Sequence, residues 1–192
     1  PKGGGRFDLP IALGILAASG QIPLQALGEY EFLGELGLTD ADVREVRRIK
    51  GRVDKERLPR GADPATHLKL GRGGLADIEW TVQLLQLRFG AQVEGLRTTQ
   101  TLAALEAVAE ADLLSTDDAE TLITAWRMVT RVRNGLLLAR GRGGDQFPRG
   151  PLERKGVAGV LGYQLDEPES LVDDYMRATR HARTVVDRVF WE

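Results

Sequence analysis

"LKLGRGGLADIEWTVQLLQLRFG", residues 68–90, sets the reading of the whole chain. Three glycines (Gly71, Gly73, Gly74) and two cations (Lys69, Arg72) precede an apolar run that carries two acids, Asp77 and Glu79. Behind them Ile78, Val82, Leu85 and Phe89 recur at helical spacing, Leu84 and Leu87 widen the stripe, and Gly90 closes the helix. Glycines at such a junction supply positive φ and a sharp entry into a helix. A helix start can also turn backbone N–H groups toward an anion. Two readings therefore stand side by side. One is a tight structural turn. The other is a nucleotide- or anion-binding pocket built from Lys69, Arg72, Gly73 and Gly74. A Walker loop is excluded, because no Lys-Ser or Lys-Thr pair follows the glycines. A dinucleotide fingerprint needs a βαβ unit, which the surrounding pattern does not offer. Asp77 and Glu79 are two residues apart and do not face each other on a helix. They suit the positive end of the helix dipole, and one of them is expected to hold Arg72.

Outward from this stretch the helical pattern continues. Thr39 or Asp40 caps a charged helix to about Arg57, with Val43, Val46, Ile49 and Val53 on one face, and "LPRGADP" breaks it. Thr98 or Thr99 opens a third helix, with Leu102, Leu105 and Val108 inward. Ser115 caps a long fourth one, with acids in its first turn and arginines in its last. "RGRGGDQFPRGP" reads as a loop, a short helix covers about 151–161, and a last helix runs from about Glu169 to Phe190. Its inward residues are Leu171, Tyr175, Ala178, Ala182, Val185 and Val189. The expected fold is mainly α: a helical bundle over residues 40–192 with a small helix–strand appendage over residues 1–39.

The appendage has a different texture. It is glycine-rich and carries two cations (Lys2, Arg6) against four acids (Asp8, Glu29, Glu31, Glu35). "LPIALGILAAS" reads as an apolar helix capped by Asp8, and "EYEFLGELGL" as a strand. So short a segment cannot bury a core of its own.

Composition narrows the function classes. The chain has 192 residues, 42% hydrophobic and 28% charged, with a formal net charge of −2. Such a chain can bury a core. The balance of 26 basic against 28 acidic residues argues against a dedicated nucleic-acid binder. No apolar run reaches the roughly 18 residues needed to span a bilayer. With no cysteine there is no disulfide framework and no thiolate metal site. A cytoplasmic location is expected. The chain begins at Pro1 and reads as a fragment or fusion. His67 and His181 are the two histidines, and neither has a second His or Cys at ligand spacing. Asp117-Asp118 and Asp173-Asp174 could serve magnesium, but capping and dipole roles explain them as well. Arg127, Arg131 and Arg133 lie along one helix, as a solvated face or as a face toward a nucleotide or an acidic partner.

Taken in order, "RVDKERLPRGADPATHLKLGRGGLADIEWTVQLLQLRFG", "LRTTQTLAALEAV", "AWRMVTRVRNGLLLARGR", "GVAGVLGY" and "DYMRATRHARTVVDRVF" resemble the C-terminal helical region of actinobacterial glutamine synthetase adenylyltransferases. The resemblance covers about residues 42–191. It implies a bifunctional nucleotidyltransferase family, which moves AMP from ATP to a tyrosine of glutamine synthetase and removes it again. It also implies a PII-type regulator as a partner, and a helical domain seated against a nucleotidyltransferase domain. In that setting Asp77 and Glu79 belong to the domain interface. ATP and magnesium are implied for the intact family. The magnesium-binding Asp-x-Asp pair of its catalytic domain has no counterpart here, so this chain is expected to hold no catalytic residue, metal or cofactor of its own. Residues 1–39 resemble the N-terminal domain of ComM-type, magnesium-chelatase-like AAA+ proteins. That domain shares the fold of Lon-type protease domains, but Arg6 stands where the protease serine would be. The expected function is a helical accessory domain of the adenylyltransferase, inactive alone. The alternatives are a non-enzymatic helical interaction module and a chimera with no retained function.

Overall fold

Thr39 closes a capping box at the first helix: its hydroxyl accepts from the Asp42 amide (3.3 Å), and Asp42 Oδ2 accepts from the Thr39 amide (2.9 Å). This is the start of a computed structural model that describes residues 39–192. The helix expected at "LPIALGILAAS" and the strand expected at "EYEFLGELGL" lie outside the described residues. From the capping box α1 runs Asp40–Glu56. α2 spans Leu75–Phe89, and a 3-10 turn follows at Glu94–Leu96. α3 spans Thr101–Glu110 and α4 spans Thr116–Arg140. The Ser115 hydroxyl accepts from the Asp118 amide (3.2 Å) at the start of α4, and Gly141 ends it at φ +68°. α5, Pro151–Val160, begins with the proline that needs no N–H partner there. α6, Glu169–Val186, passes into a π-turn at Asp187–Trp191. The described residues therefore hold six α-helices and no strand, the mainly α architecture that the periodicity implies.

α4 is the central helix of the unit Thr39–Glu192, and α2, α3, α5 and α6 all pack on it. Its Val129, Val132 and Leu136 are fully buried, among Val157 and Ala158 of α5 and Leu171 and Tyr175 of α6. Leu68, Leu75 and Phe147 complete this core, and the Phe147 and Tyr175 rings stand 4.6 Å apart. Each fully buried aliphatic side chain here contributes about 1.5–3 kcal/mol. The core reaches directly under the glycine loop, because Leu68 and Leu75 flank it on either side.

Four local expectations are corrected. On α1, Val43 is buried but Ile49 is 40% exposed, and the second buried residue is Lys50. An ion pair rather than an aliphatic stripe sets that face. Leu87, expected to widen the α2 stripe, is exposed. α3 starts at Thr101, because the Thr98 hydroxyl accepts from the Gln100 amide (3.1 Å) in a turn before the helix. The last helix stops being α-helical at Val186.

Candidate functional site

The loop before α2 closes on itself. Gly71 N donates to His67 O (2.7 Å), and Arg72 N to Pro64 O (3.0 Å). Gly73 N donates to Asp77 Oδ2 (2.8 Å), and Gly74 N to Gly71 O (2.9 Å). Leu75 N and Ala76 N donate to Leu68 O (3.1 Å) and Lys69 O (2.9 Å). Six consecutive amides are thus partnered inside the loop and the first turn of α2. The amides of Gly73 and Gly74, expected to receive an anion, are already bonded, so the backbone is a turn rather than a cradle. Gly73 sits at φ +69°, and a Cβ there would stand 2.0 Å from the Thr179 carbonyl oxygen of α6. That contact demands glycine twice over, for its left-handed conformation and for its lack of a side chain.

A second tie comes from the opposite loop. Leu68 N donates to Asp145 O (2.6 Å), Phe147 N to Thr66 O (2.9 Å), and His67 and Gln146 form an isolated antiparallel bridge. His67 is buried, and its Nδ1 accepts from the Leu70 amide (3.0 Å). Burial pushes the imidazole below its ordinary value, against the opposing pull of Asp145. The proton of the neutral ring is then on Nε2.

Asp77 is the hub under the loop. Its side chain is 5% exposed, and it accepts from Lys50 Nζ (2.6 Å), Arg183 (3.1 Å) and the Gly73 amide (2.8 Å). Lys50 is itself buried and also donates to Asp54 (2.5 Å). One carboxylate therefore joins α1, α2 and α6. Asp77 is an internal tie of this unit, and its partners are Lys50 and Arg183, not the Arg72 expected for one of the two acids. The physical reason is depth: a buried carboxylate needs cations brought to it by packed helices, and Arg72 is exposed. Arg72 makes no ion pair among the described residues.

Glu79 sits differently. It is half-buried, and burial raises its carboxyl pKa while Lys69 and Arg133 pull it down. Lys69 of the loop, Glu79 of α2 and Arg133 of α4 therefore share one electrostatic neighbourhood. Arg133 is in turn held by Asp145 (2.7 Å). Lys69, Arg72 and Arg133 are exposed, so the rigid loop carries its cations outward. The other residues singled out in the sequence have local roles. Asp118 pairs with Arg188 (2.5 Å), and Asp174 accepts from the Tyr163 hydroxyl (2.8 Å). Arg131 donates to the Leu161 carbonyl at the end of α5 (3.1 Å). His181 is exposed. Among the described residues no group of three or more His, Asp or Glu side chains is placed to hold a metal ion. Two important residues escaped the sequence reading, Lys50 and Arg183. For Lys50 a signal exists: it lies seven residues after Val43, on the same helical face.

The family model described as GlnD PII-uridylyltransferase matches residues 43–192, the loop and every helix partner of Asp77 included. The chain belongs to this family. Residues 1–55 match a second model, subunit ChlI of Mg-chelatase. Within the GlnD-type family the curated relatives are bifunctional glutamine synthetase adenylyltransferase/adenylyl-removing enzymes. The chain is 52% identical to that of Streptomyces coelicolor over 157 residues, which is 82% of this chain and 16% of the relative. It is 54% identical to that of Nocardia farcinica over 155 residues, 80% of this chain and 15% of the relative. With that of Mycobacterium avium the identity is 53% over 154 residues, again 80% and 15%. The chain thus spans about a sixth of the length of these relatives. The homologous part is helical, and no helix among the described residues is long and apolar enough to cross a membrane.

Proposed function

We propose that residues 39–192 serve as the helical accessory domain of a glutamine synthetase adenylyltransferase and deadenylylase. In this reading the domain docks a nucleotidyltransferase domain and presents Lys69 and Arg72 to the phosphates of a nucleotide held mainly by that domain. ATP and magnesium would be bound there, not by this unit. Glutamine synthetase and a PII-type regulator would be partners of the whole assembly, in the cytoplasm. The observation that carries the reading is the 50–54% identity to adenylyltransferases over most of this chain. The geometry supports it in one respect. A loop whose amides from Gly71 to Gly74 are bonded and whose buried acid is pinned holds Lys69 and Arg72 on a fixed base, as a positioning element requires.

The chemistry assigned to this domain is binding and orientation. An arginine fork suits a phosphate oxygen pair, and an ammonium supplies a point charge. Glu79 beside Lys69 would hold that lysine toward the ligand. Phosphoryl positioning by metal needs a carboxylate cluster, so the isolated chain should transfer no AMP. The test has two readouts. Incubation of the chain with labelled ATP, magnesium and glutamine synthetase should give no labelling; magnesium-dependent labelling would overturn the reading. When a nucleotidyltransferase domain of the family is added in trans, AMP transfer should rise. Arg72→Ala should cut that gain by about tenfold or more, on the scale of one charge-assisted hydrogen bond.

A further inference from the structure

A second cationic site lies away from the glycine loop. α1 and the terminal π-turn enclose an open groove of about 500 Å³, lined by Arg44, Arg47, Arg48, Arg52, Lys55 and Trp191. The charged groups of this lining are four guanidinium groups and one ammonium. Arg44, Arg48 and Arg52 recur every four residues, so their row climbs α1 in steps of about 6 Å. Of the acids on α1, Glu45 is engaged by Arg48 of the groove (2.6 Å), and Asp54 turns inward to the buried Lys50 (2.5 Å). Among the described residues Arg44, Arg52 and Lys55 make no ion pair. Arg47 donates through Nε to the Phe190 carbonyl and so fixes the π-turn against α1. Trp191, next along, has a buried indole N–H with no acceptor among the described residues. A buried donor without a partner is uncommon and costly.

We propose that this groove binds a small polyanion carrying two or more linked phosphates, with Arg44, Arg52 and Lys55 on the phosphate oxygens. The complementarity is specific in kind. Crowded cations favour a ligand rich in oxyanions. The chain's net charge of −2 supplies no broad basic field for a long nucleic acid, so the attraction is confined to this groove. The linked phosphates could be those of a nucleotide or of an inorganic chain.

Calorimetric titration of the 192-residue chain at low ionic strength tests this, with tripolyphosphate, ADP and orthophosphate as probes. Tripolyphosphate and ADP should bind, orthophosphate more weakly, and added salt should weaken all three. Arg44→Ala combined with Arg52→Ala should reduce tripolyphosphate affinity by about tenfold or more. Neither arginine is paired, so thermal melts of this variant should match the parent. Equal affinity for ADP and tripolyphosphate would assign the phosphate chain as the recognised unit. Tighter binding of ADP would add the nucleoside. No binding of tripolyphosphate, or unchanged affinity in the double variant, would overturn the proposal. So would loss of binding in Arg72→Ala with none in the double variant, since that would place the ligand at the glycine loop.

Discussion

Removing the Asp77 carboxylate should be the most damaging single change beneath the glycine loop. Asp77→Ala leaves Lys50, which is 1% exposed, with Asp54 as its remaining acid, frees Arg183 from one of its two acids, and strips the Gly73 amide of its acceptor. Breaking a buried ion pair from one side costs about 3–5 kcal/mol, because the surviving charge stays out of water. For a domain of this size each kcal/mol shifts Tm by about 2–4 °C, so the melting temperature should fall by about 6–20 °C. Lys50→Met should cost less, because Asp77 would keep Arg183 and the Gly73 amide. The double variant should be less destabilised than the sum of the two single changes, since the second removes the charge the first has orphaned. Urea melts of the four proteins, followed by circular dichroism, give the cycle. A cost below about 1 kcal/mol for Asp77→Ala, a figure typical of exposed pairs, would show that the carboxylate is solvated in solution and that the three-helix tie does not hold.

Three further outcomes follow from the same region. Gly73→Ala should destabilise by more than about 2 kcal/mol in urea melts, since a left-handed φ and a 2.0 Å approach to the Thr179 carbonyl act together; a change within about 0.5 kcal/mol would contradict the close packing. The raised pKa of Glu79 means that its folded carboxyl holds a proton more readily than the unfolded one. That contribution is present below the unfolded value of 4.5 and is lost as pH rises through the folded value. Glu79→Gln should therefore match or exceed the parent's stability at neutral pH, with the advantage shrinking on acidification. The lowered pKa of His67 runs the other way: the parent should lose stability as pH falls from 6.5 toward the folded value. His67→Asn, which offers an oxygen acceptor to the Leu70 amide, should flatten that part of the stability–pH profile. A profile unchanged by the substitution would mean that the imidazole is solvated.

The helices could be read directly from the chain because their determinants are local. Thr39 and Ser115 bond amides three residues away, Gly90 and Gly141 follow the last helical turns, and the 3.6-residue period marks Ile78, Val82 and Leu85 for the core. The composition shift after residue 39 and the motif around residues 68–80 were legible for the same reason. What the loop does with its polar groups was not local. The same glycines suit an anion cradle and a closed turn, and the choice rests on where Leu68, Asp145 and Thr179 come to lie. Asp77 likewise has first-turn neighbours that promise a dipole role, yet its partners arrive from 27 and 106 residues away. Charge on a helix is solvated by default, so the residue type argues for a surface position at Lys50, against its spacing of seven from Val43. Packing α1 and α6 against α2 removes the water, and then the buried cation and carboxylate must find each other. That step makes the acid of the motif structural and leaves Lys69 and Arg72 to face outward.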